Sequence, residues 1–331
     1  MAYSPATPLT VPMTQLLNAF TLFLSLMVEA MPFLLLGVLL SGVLLLFVDD
    51  RKLIRFMPKH PILGALAGSA LGFLLPVCEC GNIPIARRLL TQGAPLSLVI
   101  GFLLSAPTIN PVVIWATWTA FRDQPEVVVW RVILSLGVAT LVGAVFSVQS
   151  DPRPLLQSRV ALAVSATLKP AQEPLVGNYW LGQRTALETL TIRKSLSEKL
   201  QALLANTISE MRQLGSVLVF GSAMAAIVQV WIPREVVLGL GQGQVSSITA
   251  MMTLAAIVSI CSTVDSFFAL AFAGTFTTGS LLSFLVFGPM IDLKGVALML
   301  TVFKQRTVIY IFLLSGLLIF LFCLMINLYL Y

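Results

Sequence analysis

The chain has 331 residues, of which 58% are hydrophobic and 10% are charged. Soluble domains carry roughly 25% charged residues, so this composition excludes an ordinary soluble domain. Long apolar segments without a two-residue alternation predict transmembrane helices, because backbone polar groups in hydrocarbon must be satisfied within the segment. The net charge of +6 is explained by Lys and Arg in the loops, as the positive-inside rule expects, and no nucleic-acid partner is predicted.

The cysteine and histidine pattern narrows the possible chemistry. The cysteines at positions 78, 80, 261 and 323 have neither zinc-finger spacing nor a C-x-x-C redox pair. The single histidine, His60, excludes zinc binding by a histidine cluster. The N-terminus has no basic region followed by a small-residue cleavage site, so no removable signal peptide is expected. No nucleotide-binding motif is present, and no cofactor is predicted.

The first half begins with a long apolar run over residues 14–48, which Glu29 and Pro32 interrupt. The run is long enough to cross roughly 30 Å of hydrocarbon with a tilt or a kink. A basic loop follows, and the positive-inside rule places it in the cytoplasm. The next apolar stretch carries glycines four residues apart, which predict a face that another helix approaches closely. These glycines are Gly64, Gly68 and Gly72.

Proline interrupts the next long apolar run. Residues 96–121 contain Pro107 and the Asn110-Pro111 pair, which predict a broken helix. A span at about residues 127–148 closes the first half. Residues 149–206 then carry seven Lys and Arg against four Asp and Glu. They are interpreted as a cytoplasmic linker, with simple tethering favoured over partner binding.

The second half is interpreted as a repeat of the first. A shift of 181 residues places Cys80 on Cys261, and a shift of 182 residues places Asn110 on Asp292. One inserted residue reconciles the two shifts. Apolar sequences match each other easily, but rare residues that match in one register are harder to obtain by chance.

The basic linker lies inside the cell only if residues 62–94 form a re-entrant hairpin, with a matching hairpin at 240–278. Each half then has three full spans and one hairpin, so the repeats are inverted. The prediction is an all-α polytopic membrane protein with about eight hydrophobic segments, arranged as a first half (1–148), the linker (149–206) and a second half (207–331). Inverted repeats with broken helices near the midplane are typical of secondary transporters.

The segment 76–88 concentrates thiols, an acid and two bases in an otherwise apolar chain. Cys78 and Cys80 flank Glu79, and a C-x-C pair in a turn can direct two sulfurs toward one soft metal or metalloid. The alternative is that both cysteines are small polarizable residues at a tight packing point. Arg87 and Arg88 either attract an anion or extend to the lipid headgroups.

The second half supplies further candidate residues. Cys261 occupies the place that corresponds to the first cysteine motif, and it is a third candidate sulfur if the two hairpins meet. Asp265 is a candidate proton carrier or counter-ion, with a helix cap as the alternative. Asn110 and Asp292 follow the prolines of the two broken helices and are predicted to line the path.

The residues around the cysteine motif resemble a known family. They are 78–90, Gly93, 103–107 and Asn110-Pro111. They look like the predicted-permease family that includes YraQ and the organoarsenical efflux permease ArsP. The second half, at 262–268 and 287–292, resembles a branch thought to be one subunit of a two-part permease.

The resemblance implies a polytopic inner-membrane permease of bacteria. In the arsenical-exporting members, the family implies that cysteines bind trivalent organoarsenicals, and Cys78 and Cys80 are the positions that match. An arsenical is then one candidate substrate among soft metals, metalloids and small thiol-reactive compounds.

The chain is therefore predicted to be a secondary-transporter-like permease and not an enzyme. Its expected partners are the lipid bilayer, a small solute and a second permease subunit. Two other hypotheses stay open. One is a membrane thiol-redox protein, which needs thiols that meet with disulfide geometry. The other is a membrane subunit of a larger complex whose cysteines are structural.

Overall fold

A computed structural model describes residues 10–47, 60–75, 77–149, 151–168, 196–231 and 243–329. Its regular elements in these ranges are α-helices and one short 3-10 helix. The first part of the chain forms α1 (Thr10–Phe47), α2 (Pro61–Leu74), α3 (Glu79–Thr91), α4 (Leu96–Ile109), α5 (Pro111–Ala120) and α6 (Pro125–Phe146). A 3-10 helix (Arg153–Leu155) and α7 (Ser158–Leu168) follow. The second part forms α8 (Leu196–Trp231), α9 (Gln244–Val258), α10 (Asp265–Leu270), α11 (Thr278–Met290), α12 (Leu293–Met299) and α13 (Gln305–Tyr329).

The all-α membrane architecture predicted from composition is confirmed. Within the described residues, six segments are long and apolar enough to cross a bilayer. They are Gln15–Gly42, Leu96–Ala120, Pro125–Phe146, Leu203–Val228, Thr278–Met299 and Gln305–Tyr329. Two other apolar helices, α2 and α9, have only 14 and 15 residues. A full crossing needs about 20 residues, so α2 and α9 are shorter than a span, and the expected number of about eight hydrophobic segments is not confirmed.

Two of the six spans are broken helices, and they are the most buried. The span over α4 and α5 is 83% buried and the span over α11 and α12 is 78% buried, against 28% for the spans of α1 and α13. Non-helical backbone at membrane depth is tolerated where protein surrounds it. The two breaks therefore lie in the interior of the bundle, with α1 and α13 more exposed to lipid.

Two pairs of short consecutive helices, α2 with α3 and α9 with α10, are named the first and the second hairpin after the short connections between their helices. In the first pair α2 ends at Leu74 and α3 begins at Glu79, and in the second pair α9 and α10 are joined by the turn at 259–264. In that turn Ser259 has a left-handed backbone with φ of 45°, which few residues other than glycine adopt. Both hairpins pack against the broken helix of their own half, α2 and α3 on α4, and α9 and α10 on α11.

Glycine permits the close helix crossings around the first hairpin. Gly64, Gly68 and Gly72 are buried on one face of α2, as the sequence predicts. A Cβ at Gly68 would overlap the backbone carbonyl of Leu98 on α4, and a Cβ at Gly37 on α1 would overlap the backbone of α3. Small residues of this kind are what membrane helix interfaces use, because van der Waals contact replaces the hydrophobic effect there.

The two halves contact each other along the whole bundle. Helix α1 packs on α8, α4 on α11, and α6 on α13. In addition α3 of the first hairpin packs on α12, and α10 of the second hairpin packs on α5. Helices α3 and α10 therefore each reach the second part of the broken helix in the other half, and their polar residues lie at these contacts.

The segment after α6 attaches to both halves. Gln157 donates from Nε2 to the carbonyls of Leu300 (3.0 Å) and Phe303 (3.2 Å). The carbonyl of Leu155 accepts from the backbone N–H of Lys304 at 2.9 Å. Helix α7 also packs on α3 of the first hairpin. This segment therefore connects the first hairpin to the loop after α12.

Candidate functional site

The turns of the two hairpins bring three thiols together. Cys78 is the residue immediately before α3, and Cys80 lies in the first turn of that helix. The thiol of Cys78 lies within interaction range of the thiols of Cys261 and Cys80. The hydroxyl of Thr263 donates to the Sγ of Cys261 at 3.7 Å. All three cysteines are buried and free, so a contact between the halves consists of unpaired thiols.

Each hairpin turn is held against the break in its own half. In the first half the Nδ2 of Asn110 donates to the carbonyl of Val77 at 3.2 Å. In the second half the backbone N–H of Leu293, the residue after Asp292, donates to the Oγ of Ser259 at 3.2 Å. A shift of 182 residues relates both Val77 to Ser259 and Asn110 to Asp292. The internal repeat and its inverted sense stay predictions.

The break residues also begin the second part of each broken helix. The Oδ1 of Asn110 accepts from the N–H of Val113 at 2.9 Å, and the Oδ1 of Asp292 accepts from the N–H of Gly295 at 2.6 Å. Asn and Asp are preferred at this capping position because a helix start leaves backbone N–H groups without intrahelical acceptors. Asn110 and Asp292, which were predicted to line the path, therefore each cap the helix that begins after a break.

A second asparagine compensates for the proline of the first broken helix. Pro107 has no N–H, so the carbonyl four residues earlier, that of Leu103, loses its helical donor. The Nδ2 of Asn82 donates to this carbonyl at 2.8 Å. Asn82 lies in α3 one turn after Cys78. The hydrogen bond therefore fixes the cysteine-bearing hairpin to the broken helix.

A cluster of buried charges lies beside the thiols. The Nζ of Lys294 on α12 is 3.7 Å from the Oε1 of Glu79 and 3.9 Å from the Oδ2 of Asp292. The side chains of these residues are at most 6% exposed. Glu29 on α1 lies within electrostatic range of both Glu79 and Lys294. Because Glu79 and Lys294 belong to different halves, this charge pair also spans the contact between them.

A second charge pair lies between α6 and the second hairpin. Arg131 donates from Nη2 to the Oδ2 of Asp265 at 2.8 Å and from Nη1 to its Oδ1 at 3.2 Å. The same Nη1 contacts the hydroxyls of Thr117 (2.9 Å) and Ser266 (2.9 Å), which also bond to each other at 3.0 Å. A two-point arginine–carboxylate pair is the strong form of this interaction. Asp265 is therefore fully engaged by hydrogen bonds.

The predicted site residues fall into two groups. The structure brings together the thiols of the three cysteines, the Glu79 carboxylate and Asp292 at the break between α11 and α12. It separates the two arginines from them, because Arg87 lies eight residues after Glu79 on the same helix, which is about 12 Å along the axis. Its Nη1 donates to the Oε1 of Gln213 on α8 at 3.0 Å, and Arg88 is half-buried on the same helix. Among the described residues, no group of three or more His, Cys, Asp or Glu has the arrangement of a metal site.

Sequence reasoning missed the two bases at the centre. Arg131 and Lys294 are each 1% exposed, and neither residue is among the candidates named from the sequence. The available signal was their position inside apolar runs, since an ionisable residue at membrane depth marks a functional site by default. The partners of these bases could not be predicted from the sequence, because residues such as Arg131 and Asp265 are 134 positions apart in the chain.

Comparison with known proteins agrees with this architecture. Residues 15–328 match the family described as "Predicted permease" (ArsP_1). The chain belongs to this permease family. Membership covers both membrane halves, and it indicates a transporter rather than an enzyme. The permease is thus a multi-pass membrane protein, as its apolar helices require.

Two relatives of the permease come from bacteria. It is 40% identical to the "UPF0718 protein YcgR" of Bacillus subtilis (strain 168) over 288 residues, which are 87% of this chain and 90% of that protein. It is 31% identical to the "Putative two-component membrane permease complex subunit" of Streptococcus mutans over 314 residues, which are 95% of this chain and 96% of that protein. No solved structure matches the permease.

Proposed function

We propose that this permease moves a small solute through a central site at which the two hairpin turns meet. The observation that carries the proposal is the proximity of the buried thiols of Cys78 and Cys261, one from each half of the chain. Both turns lie against breaks in the most buried spans. Broken helices that meet at the midplane are where secondary transporters bind their substrates.

The substrate we propose is a soft metal or a trivalent organoarsenical. Thiol sulfur selects soft ions over hard cations, and an organoarsenic centre needs only two sulfurs. Cys78 and Cys261 supply one sulfur from each half, and Cys80 supplies a third close by. A solute held by both halves would be released when the halves separate, which is what alternating access requires.

The polar residues have separate roles in this proposal. Glu79 balances the charge of the bound solute, while Asn110 and Asp292 line the path at the two breaks. Arg87 and Arg88 lie toward the far end of α3, and they attract anionic species to the entrance. The name of the Streptococcus mutans relative supports a second permease subunit as a partner of this chain. Residues 149–206 would tether the two membrane halves on the cytoplasmic side of the inner membrane.

The same thiol contact supports a second candidate function, a thiol-redox protein of the membrane. Cys78 and Cys261 are unpaired and adjacent, so oxidation would join the two halves by a disulfide. A transporter needs these thiols reduced in order to bind its solute, whereas a redox protein alternates between the two states. Trapping free thiols in growing cells and measuring the oxidised fraction separates the two functions.

The experiment that tests the proposal is growth and accumulation in a sensitive bacterial host. Cells express the wild type, Cys78→Ser/Cys80→Ser or Cys261→Ser, and they are exposed to trivalent arsenicals and soft metals. Cys323→Ser is the matched control, because Cys323 is also a buried cysteine but lies on α13. The wild type and the control should alter tolerance to the same compound, and the other variants should lose that effect at equal expression. Equal behaviour of all variants would refute the thiol site.

A further inference from the structure

The second parts of the two broken spans, α5 and α12, extend from the centre toward opposite faces of the bundle. Ser97 at the start of α4 and Pro152 after α6 line the same cavity. Three residues further on, the carbonyl of Leu155 accepts from the backbone N–H of Lys304, which follows α12. The start of α4 therefore shares one face with the end of α12, and α5 extends to the other. We call the face at residues 152–157 the linker face and the opposite one the far face.

One ion pair joins the two membrane halves on each side of the thiols. Among the described residues, two salt bridges connect the halves, Glu79–Lys294 and Arg131–Asp265. Lys294 lies on α12, which extends to the linker face. Arg131 donates to the hydroxyl of Thr117 in the last turn of α5. The Arg131–Asp265 pair therefore closes the side of the thiols that is toward the far face.

The contact toward the far face is the stronger of the two. The guanidinium of Arg131 binds both oxygens of Asp265, at 2.8 Å and 3.2 Å, and two hydroxyls complete the contact. By contrast, the Nζ of Lys294 lies 3.7 Å from the Oε1 of Glu79, which is beyond the usual hydrogen-bond distance. Charge-assisted hydrogen bonds are strong when they are short and direct. The contact between α3 and α12 should therefore separate more readily than the contact between α10 and α5.

Charged residues at this depth suit a contact that opens and closes. Replacing a buried ion pair by apolar residues is often neutral or stabilising, so stability alone gives little reason for Arg131 and Asp265 to lie within the membrane. If α10 leaves α5 and water enters, both residues exchange their mutual hydrogen bonds for bonds to water. Apolar side chains would instead expose hydrophobic surface to that water. The polar contact thus keeps the free-energy difference between the closed and the open state small.

Helix α10 is a short element that is attached to the thiol site. It has six residues, and turns at 259–264 and 271–276 bound it on both sides. The backbone N–H of Asp265 donates to the carbonyl of Cys261 at 3.0 Å. A displacement of α10 would therefore move Cys261 relative to Cys78. The contact between α10 and α5 is in this way linked to the place where the two thiols meet.

We propose that the Arg131–Asp265 pair, with the hydroxyls of Thr117 and Ser266, is the outer gate of the permease. The gate closes the path between the thiols and the far face, which is the outer face because the linker is on the cytoplasmic side in the proposed function. When the pair breaks, α10 leaves α5 and the thiols become accessible from outside. The weaker contact between α3 and α12 opens toward the cytoplasm. Arg131 and Asp265 are positioning residues, since they act through α10 and not on the solute. The inference rests on the proposed permease function and adds the element that controls access to its site.

The test measures how fast the hairpin thiols react with a charged maleimide that does not cross the bilayer. The full chain carrying Cys323→Ser is the parent protein, and it is expressed in bacteria from which right-side-out and inside-out membrane vesicles are prepared. Mass spectrometry identifies the modified cysteine. Asp123→Cys reports which vesicles expose the far face, because Asp123 is exposed in the loop between α5 and α6.

The parent protein should react faster from the linker face than from the far face. In Arg131→Met/Asp265→Asn, the far-face rate should increase by about tenfold or more, because removing the gate contact makes dominant an open state whose population is otherwise roughly 0.1–10%. The linker-face rate should change less. Arg131→Lys keeps a charged partner for Asp265, and its far-face rate should stay closer to the parent than to the double variant.

The matched control is Asn327→Ala. Asn327 is buried at the end of α13, where it bonds to the backbone N–H of Gly279 and the hydroxyl of Thr277 at the start of α11. This contact also lies toward the far face, because α11 leads to α12. Its loss loosens the same side of the bundle without removing the gate, so the far-face rate should stay near that of the parent. An equal increase in Asn327→Ala and in the double variant would indicate general loosening and overturn the proposal.

Two other results would also overturn the gate. One is a parent protein whose thiols react from the far face as fast as from the linker face, and this result needs no variant to fold. The other is a folded double variant whose far-face rate does not increase. Thr117→Val keeps the ion pair and the volume of the side chain, and it should give a smaller increase in the same direction. If the double variant does not fold, an unchanged rate in Thr117→Val refutes the gate.

The labelling is made without solute. Its failure would therefore remove the gate and leave the thiol-based permease standing. Failure of the tolerance experiment would remove the substrate assignment and leave the labelling rates unchanged.

Discussion

The Arg131–Asp265 pair allows the sharpest prediction about stability. Replacing Arg131 with methionine removes the base and keeps a side chain of similar length in the buried space. It leaves the Asp265 carboxylate without its charged partner at a site where Arg131 is 1% and Asp265 is 3% exposed. An uncompensated charge in such a place is much more costly than the loss of one hydrogen bond.

The expected magnitude comes from the number of contacts and their burial. Removal of one partner of a buried ion pair costs about 3–5 kcal/mol. Arg131 also donates to the hydroxyls of Thr117 and Ser266, but these two hydroxyls bond to each other and remain satisfied. We therefore expect Arg131→Met to destabilise the protein by about 3–5 kcal/mol, with nearly all of the effect caused by Asp265.

The double variant Arg131→Met/Asp265→Asn tests this reasoning. It contains neither charge, and replacing a buried pair by neutral residues of similar volume is often close to neutral. Each variant is unfolded with a denaturant in detergent while the helical circular dichroism signal is recorded. This measurement gives the free energy of unfolding of the single and of the double variant. The double variant should recover most of the loss seen in the single variant. A single variant within about 1 kcal/mol of the wild type, or a double variant as unstable as the single one, would refute the account of this pair.

Three further predictions concern the elements that hold the hairpins, each measured as the thermal unfolding midpoint in detergent. Asn82→Ala should destabilise the protein by about 1–3 kcal/mol because it leaves the buried carbonyl of Leu103 unpaired. Adding Pro107→Ala should restore this stability, because alanine returns an N–H to that carbonyl. Equal losses with and without Pro107→Ala would contradict the role assigned to Asn82. Gly37→Ala should destabilise the α1–α3 crossing, whereas Gly137→Ala should be neutral or slightly stabilising, since nothing lies within 4 Å of a Cβ there; similar effects at both glycines would argue against the crossing. Gln157→Ala should cost about 1 kcal/mol by removing the side-chain hydrogen bonds to the loop after α12, and an unchanged midpoint would show that this attachment contributes nothing.

Much of the fold is readable from local sequence signals. Pro107 and the Asn110-Pro111 pair predict a broken helix, and the structure ends α4 and begins α5 at that point. The glycines of α2 predict a close crossing because spacing by four residues places them on one helix face, and they are buried there. Such features depend on residues near each other in the chain.

The site was harder to predict because it depends on contacts between distant residues. The C-x-C motif indicates Cys78 and Cys80 as the thiol pair, and the repeat suggests Cys80 as the counterpart of Cys261. In the structure Cys78, the residue before α3, lies within interaction range of both Cys80 and Cys261. The partner of each buried charge is likewise set by helix packing, so Lys294 was not connected with Glu79.

The measurement that tests the central claim most directly is the binding of phenylarsine oxide, a trivalent organoarsenical that bridges two thiols, to the purified protein. The account predicts stoichiometric binding to the wild type and to Cys323→Ser, and loss of binding in both Cys78→Ser and Cys261→Ser, because one thiol from each half forms the site. Binding that persists in Cys78→Ser or in Cys261→Ser, or a wild type that does not bind, would contradict a solute site made by the two hairpin turns.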